Sequence, residues 1–557
     1  MLTTQRVFAA VIAAALLALP GSVLAMDDAA ATKAATDKSA DKSTDKSAEK
    51  AAEKPLPADV TTQGEVTASG QHIAYNAIAG TITVGATDIQ DAQLGMDGKP
   101  QADSQLLLAA PKEAKDADPT ARMFYVAYFK KDAKAEERPI TFFYNGGPGS
   151  STVWLHMGSL GPKHVVTDMD THLPAAPYKL VDNVNSLLDV SDLVFIDMPG
   201  TGFGRLVGKE PEKAFWGIDE DANAFARFIV RFTTKYNRWN SPKFIFGESY
   251  GTTRSAVLAD ILENGKSMDI NGVILLSQIF NFTTDIDNPS GNPGVDLPYE
   301  LALPTYAATA WYHKKLPTQP AALEPFLKEV EEFTRGAYAH ALAQGTDLGA
   351  DEKQAVAEKL HEYTGLPVAY LLKANLRVNG GEFEKTLQDD QDLTTGRLDT
   401  RFSGPNLNPL SESAEYDPQS SAISSAYVSL FNDYVRRDLK YGEGQTYLPQ
   451  AQTGIAQWDF KHGGNPVSVN VAPDLAEAMK TNPRLKVMVN GGYYDLATPF
   501  FAAEYEEKHL PIPQSLAKNI EYDWYESGHM VYVREESLKQ LHDRVAAFIT
   551  KTDQGRD

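Results

Sequence analysis

The sequence predicts an α/β fold: a mixed, mostly parallel sheet with helices on both faces and a large helical cap insertion. Three observations predict it. Short apolar runs that read as strands alternate with helical patterns in both the first and last parts of the chain. One run meets a helix through Gly247-Glu248-Ser249-Tyr250-Gly251, a G-x-S-x-G sequence at a strand-to-helix crossover. Asp495 and His529 each stand just past the end of a later predicted strand, on the rim where open α/β sheets bind ligands.

In chain order, residues 1–25 read as a cleaved export signal, with Arg6 as the positive start, 7–19 as the apolar run and Val23-Leu24-Ala25 as the small-residue exit. The apolar run is short for a membrane span. Residues 26–58 are low in complexity, repeating Asp-Lys-Ser every four positions; like charges then stack at i and i+4, which disfavours a helix and leaves a disordered tether. The catalytic domain is expected over 59–557. Its strand-like stretches 65–84 and 123–129 form an antiparallel start to the sheet, and Ile140–Tyr144 and 192–196 are further strands.

Phe225, Phe228, Ile229, Phe232 and Tyr236 recur at helical spacing, a one-sided stripe explained most simply as core packing. The apolar run 242–246 leads to Ser249, a helix follows over 252–263, and 272–277 is the next strand. Between 277 and 486 the alternation breaks into helical patterns and polar turns, too long for a loop, so a cap insertion is expected at approximately 285–470. Within it, Tyr299, Tyr306, Trp311, Tyr312, Arg401, Phe402 and Asp417 are pocket candidates, although cap packing explains the aromatics better. Residues 485–490 and 520–525 supply two more strands. A last helix near 536–551 turns Leu538, Leu541, Val545, Phe548 and Ile549 to one face.

The chemistry follows from where these strands end. A serine hydroxyl is a poor nucleophile unless lifted clear of the fold and given a base; a tight strand–turn–helix lifts it, and flanking glycines let the turn form. Ser249, Asp495 and His529 follow in the chain order of the α/β-hydrolase triad. The histidine takes the serine proton, and the aspartate fixes the imidazole tautomer and stabilises the imidazolium. Asn145-Gly146-Gly147-Pro148-Gly149-Ser150-Ser151 follows a strand with consecutive glycines, whose bare N–H groups suit an oxyanion. The second donor is the N–H of Tyr250, the residue after the nucleophile.

Together with Asp197-Met198-Pro199-Gly200-Thr201-Gly202-Phe203 and Gly528-His529-Met530, these residues resemble the serine carboxypeptidases, a branch of the α/β-hydrolases, from about 140 to 530. The resemblance implies a triad of Ser249, Asp495 and His529, and an oxyanion hole from the N–H groups of Gly147 and Tyr250. It implies that Asn145, Gly146 and Glu248 hold the substrate's terminal carboxylate. Two departures stand out. Where well-studied members carry a second glutamate that shares a proton with the first, counting from Asn145 gives Ser159. Ser150 stands where relatives often have cysteine. With no cysteine in 557 residues the chain holds no disulfide, unlike members from eukaryotic secretory routes, so the resemblance points to a bacterial periplasmic or secreted member.

A formal net charge of −22 argues against nucleic acid and anionic membrane surfaces as partners. No metal or cofactor is expected. His361-Glu362 begins a zinc motif that Gly365 breaks, the glycines at 200, 202 and 204 do not complete a dinucleotide fingerprint, and Gly265-Lys266-Ser267 lacks the upstream glycine of a phosphate loop. His156, near the Gly-rich loop, is read as structural. The expected activity is hydrolysis of C-terminal residues from peptides through an acyl-enzyme. An esterase or acyltransferase on the same fold is the alternative, and a binding protein with an inactive site the remote one.

Overall fold

The computed structural model describes residues 58–101, 117–451, 457–464 and 469–554. The predicted export signal and all of the low-complexity segment except Ala58 lie outside them. Fourteen strands form among the described residues: β1 Val60–Ala68, β2 Gln71–Gly85, β3 Thr120–Lys130, β4 Ile140–Tyr144, β5 Lys163–Val165, β6 Leu180–Asp182 and β7 Asp192–Ile196; then β8 Arg205–Val207, β9 Lys243–Glu248, β10 Gly272–Leu276, β11 Leu393–Thr395, β12 Ser403–Pro405, β13 Lys486–Gly492 and β14 Ile520–Tyr525. The main sheet runs β1-β2-β3-β7-β4-β9-β10-β13-β14, with β8 on β3.

β1, β2, β3 and β7 pair antiparallel, and every neighbour from β7 to β14 is parallel. The stretch read as one strand over 65–84 is a hairpin, because Ser69 and Gly70 both take positive φ and turn the chain. β4, β7, β9 and β10 are buried at every position, as parallel strands covered on both faces must be.

One covering layer is the helix Ile218–Lys235, whose Phe225, Phe228, Ile229 and Phe232 are fully buried; its rings meet Tyr125 of β3 and Phe142 of β4 edge-on. The aromatic stripe is core. On the other face the helix Glu535–Gln554 buries Leu538, Leu541, Val545, Phe548 and Ile549, with Phe548 against Phe244 of the central strand.

Among the described residues no strand of the main sheet lies between Leu276 and Lys486, and the interval holds helices such as Leu297–Tyr312, Leu323–Phe333, Ala350–Thr364 and Pro418–Arg437. It packs in two ways. Tyr299, Tyr306, Phe326 and Phe383 share a separate apolar cluster with Leu496 and Phe500 beside β13. Ile423, Tyr427, Phe431 and Tyr434 of Pro418–Arg437 instead join the core on the sheet. Of the aromatic pocket candidates, Tyr299 and Tyr306 are thus buried in packing, and Tyr306 stacks on Phe383 at 4.0 Å between ring centroids.

Candidate active site

β9 ends at Glu248, and the next helix, Tyr250–Asp260, starts after a single intervening residue, earlier than the 252 expected from the pattern. Ser249 bridges them at φ 61°, ψ −131°, a conformation costly for a residue with a Cβ and held by the flanking elements. Its N–H donates to Leu276 O of β10 at 2.9 Å, and its carbonyl accepts from Thr252 N at 2.7 Å. The turn closes only because position 247 is glycine: a Cβ there would stand 2.2 Å from Gly251 O.

Beyond β13, Asp495 is fully buried; its Oδ1 accepts from Thr498 N at 3.0 Å and its Oδ2 from the Thr498 hydroxyl at 2.8 Å. The same Oδ2 lies 2.8 Å from His529 Nδ1. Burial disfavours a charged His529 ring, but the charge and hydrogen bond of Asp495, together with the charge of Glu248, hold its pKa above the ordinary imidazole value. Ser249 and His529 line one cavity of about 890 Å³. Among the described residues no hydrogen bond joins Ser249 to His529, whereas the His529–Asp495 bond is formed; catalytic serine–histidine contacts commonly tighten only once substrate is held.

Asn145, Gly146, Gly147, Glu248 and Tyr250 line the same cavity. Gly146 admits no side chain, since a Cβ would lie 2.4 Å from Tyr250 N. Among the described residues, the N–H groups of Gly147 and Tyr250 donate to no other backbone group, which leaves both available to an oxyanion. Asn145 Nδ2 donates to Glu248 Oε1 at 2.9 Å. Burial pushes the Glu248 carboxyl up to about 7, against the pull of His529. Its Oε2 has no hydrogen-bond partner.

Several contributors at this site carry no sequence signal. Ser159, at the position counted for a second glutamate, turns away: its hydroxyl donates to Leu155 O at 2.5 Å. Beside Glu248 stand tyrosines instead. The Tyr532 hydroxyl adjoins the carboxyl without an aligned hydrogen bond, and Tyr427 is close enough to feel its charge; both hydroxyls are buried and unpartnered. Arg254, fully buried, bonds Asp221 Oδ2 at 2.6 Å and Asn145 O at 2.8 Å and lies over the Tyr250 ring, so it ties the Asn145 and Tyr250 segments together.

The Asp197 motif works from behind: Asp197 Oδ1 accepts from Thr152 N at 2.7 Å, and Met198 S from Gly149 N at 3.2 Å. His156 is structural, stacked on Phe195 and bonded to the Tyr128 hydroxyl at 2.7 Å. Ser150 lines the cavity and takes the indole N–H of Trp154 at 2.9 Å.

The segment between β10 and β13 also reaches the Asp495 and His529 loops. His529 N donates to Leu398 O, Thr400 N to Tyr494 O and Leu496 N to Arg397 O, at 2.7, 2.9 and 3.1 Å. The strap 396–402 therefore buckles together the acid loop and the histidine loop. Arg401, a pocket candidate from the sequence, pairs with buried Asp399 and reaches Ser527 at 3.2 Å, locking the strap. Asp417 does line the cavity.

The serine carboxypeptidase family profile matches residues 114–550. A serine carboxypeptidase-like protein of Oryza sativa subsp. japonica is 30% identical over 132 residues, covering 23% of this chain and 28% of the rice protein. The pheromone-processing carboxypeptidase KEX1 of Verticillium alfalfae is 28% identical over 137 residues, covering 24% and 19%. The chain thus aligns with well under half the length of these curated relatives. The crystal structure of a prohormone-processing carboxypeptidase, Kex1(delta)p from Saccharomyces cerevisiae, covers 85% of this chain and 91% of its own at 13% identity and a TM-score of 0.49.

Proposed function

The chain belongs to the serine carboxypeptidase family, and from that premise we propose that it is a serine-type carboxypeptidase releasing C-terminal residues from peptides. One observation carries the reading: the Asn145–Glu248 pair adjoins Ser249 in the cavity that His529 also lines. A neutral Glu248 and the Asn145 amide give donors to a terminal carboxylate one residue from the nucleophile, which is what an exopeptidase needs and an endopeptidase does not.

Ser249 Oγ attacks the scissile carbonyl carbon while its proton passes to His529 Nε2. The negative oxygen is held by the N–H groups of Gly147 and Tyr250. As the tetrahedral species collapses, the C–N bond breaks and the leaving amine takes the proton from His529. Water then enters, gives a proton to His529 and opens the acyl-enzyme, and Ser249 regains the proton. Asp495 stabilises the imidazolium in both halves.

Free and amidated forms of one blocked dipeptide test the proposal. A carboxypeptidase cleaves the free acid and largely spares the amide; equal rates for both, or ester cleavage alone, favour an esterase or acyltransferase. A fluorophosphonate that fails to label Ser249 points to an inactive binding protein.

Among the described residues no helix is long and apolar enough to cross a membrane. We propose export to the periplasm or medium of a bacterium, supported by the 1–25 pattern and the absence of cysteine. Sequencing the N-terminus of protein recovered outside the cytoplasm checks this; a retained Met1 overturns it.

A further inference from the structure

Ser159 turns away from Glu248, and two phenols take the ground behind that carboxyl. Gly158, at the end of the helix Val153–Gly158, packs directly on both rings: a Cβ there would stand 2.5 Å from the Tyr427 hydroxyl and 2.7 Å from Tyr532 Cε2. Tyr427 comes from the helix Pro418–Arg437, and Tyr532 from the single turn Val531–Val533 just past His529. Both are fully buried, and neither is among the residues that line the cavity.

Three polar atoms meet here without a hydrogen-bond partner: Glu248 Oε2 and the hydroxyls of Tyr532 and Tyr427. Leaving a buried acceptor and a buried donor unpaired side by side is costly, and pairing them removes both costs. Tyr532 is the one whose hydroxyl adjoins the carboxyl, whereas Tyr427 only feels its charge. Burial, reinforced by Glu248, holds the Tyr532 hydroxyl far above the ordinary phenol range, so it keeps its proton wherever Glu248 titrates. Rotation about the last torsion of the Glu248 side chain, a soft one, aligns the bond.

The two oxygens of Glu248 then differ in what they can do. Oε1 accepts from Asn145 Nδ2 at 2.9 Å, and Asn145 lines the cavity. An oxygen that accepts from a hydroxyl leaves the carboxyl's own proton to its partner oxygen. With Oε2 so engaged, Oε1 carries the proton, accepts from Asn145 and still donates into the cavity. With the proton on Oε2 instead, a substrate carboxylate would meet an acceptor.

We propose that Tyr532 is a positioning residue for recognition of the substrate's terminal carboxylate: its hydroxyl donates to Glu248 Oε2 and so places the Glu248 proton on Oε1, beside Asn145. The proposal rests on the carboxypeptidase reading above and deepens it.

The groups that face Glu248 besides Tyr532 are His529 and Asn145, which lower its pKa, Asp495, which raises it, and the Tyr427 hydroxyl. All of them remain in Tyr532→Phe, which also keeps the ring. A hydroxyl that donates to a carboxylate favours ionisation, so its loss moves the Glu248 pKa upward.

Two readouts test this. In Tyr532→Phe, KM for blocked free-acid dipeptides below the transition should rise roughly threefold to tenfold, the effect of one lost hydrogen bond. The loss should fall on KM rather than kcat, and the pH at which KM climbs should move upward. Tyr427→Phe should leave that pH in place. Infrared difference spectra of Ser249→Ala across the same pH range read the Glu248 carboxyl without turnover, its band identified by its disappearance on adding Glu248→Gln. Adding Tyr532→Phe should move the carbonyl band to higher frequency and its titration to higher pH. An unmoved band overturns the proposal, as does an equal movement in Tyr427→Phe. An unmoved KM profile in an enzyme that prefers free acids to amides overturns it too. A band that moves while wild type cleaves acids and amides alike overturns the carboxypeptidase reading and leaves the Tyr532–Glu248 bond standing.

Discussion

Two buried carboxyls face the cavity from different parts of the chain. Glu248 belongs to the rim of the parallel sheet and Glu384 to the helical insertion. Each has one oxygen without a hydrogen-bond partner, and burial raises both, to about 7 and about 8. They differ in what fixes them. Glu248 is the last residue of a strand, tied to Asn145 at 2.9 Å and followed at once by the strained Ser249. Glu384 has no such tie on its free oxygen and depends on a separate apolar cluster for its place. The rim is fixed by its immediate neighbours in the chain, whereas the wall from the insertion is held by long-range packing and is tied to the Asp495 and His529 loops only through the strap 396–402.

Removing the nucleophile separates the walls most strongly. Ser249→Ala should lower kcat on the order of a millionfold, the fall typical when a triad nucleophile is lost. Peptide binding should persist in the same variant. Residual turnover of more than a few per cent in steady-state assays contradicts the assignment of Ser249, and His529→Ala should behave alike.

A second variant tests whether the walls are independent. The strap 396–402 comes from the insertion yet bonds both the acid and histidine loops. At Gly528, a Cβ would lie 2.4 Å from Asp399 Cβ and 2.6 Å from its Cα. Neither the strap nor the histidine loop can absorb that without moving, and an ångström of displacement of a catalytic group costs on the order of a hundredfold. Gly528→Ala should therefore reduce kcat/KM by about that factor and lower the melting temperature. Activity within a few-fold of wild type shows that the strap does not position His529.

The same contrast explains what the sequence disclosed. Positions in the rim are constrained by their immediate neighbours: a glycine before a positive-φ serine, bare glycines after a strand, an acid and a histidine past strand ends. Such constraints leave local patterns, which is why the motifs single out Asn145, Gly147, Glu248, Ser249, Asp495 and His529 as candidates; all but Asp495 line one cavity, and Asp495 bonds His529. Arg254 was not, because its partners Asp221 and Asn145 are 33 and 109 positions away. Nothing next to Tyr427 or Tyr532 in the chain signals Glu248. The strap and Glu384 lie where helical periodicity reports only burial, so the insertion was legible as helices and illegible as a wall. The β1–β2 turn was missed for a smaller reason, a two-residue break inside continuous strand-like composition.

The smallest expected effect concerns protonation at the rim. In its neutral form Glu248 donates to the substrate carboxylate beside Asn145; ionised, it opposes it with like charge. Burial raises this carboxyl to about 7, so the donor is present below that pH and is lost as pH rises through it. For free-carboxylate peptides KM should then climb, approaching tenfold per pH unit above the transition, while KM for amidated peptides stays flat. Other groups press on Glu248: His529 when protonated and the Tyr532 and Asn145 side chains lower its pKa, and Asp495 raises it. With a tyrosine hydroxyl rather than a second carboxyl beside Glu248, the transition should lack the split of a carboxylate pair, and its coupling is to His529, whose protonation favours the ionised Glu248.

His529 titrates with the opposite consequence, since the base must be neutral; its loss at low pH depresses kcat, and the two profiles separate. Glutamine keeps a donor and cannot ionise, so Glu248→Gln should abolish the rise in KM and leave the acid limb of kcat in place. A variant whose KM climbs in parallel with wild type removes Glu248 from carboxylate recognition, and amides cleaved as readily as acids by both proteins favour the esterase or acyltransferase reading.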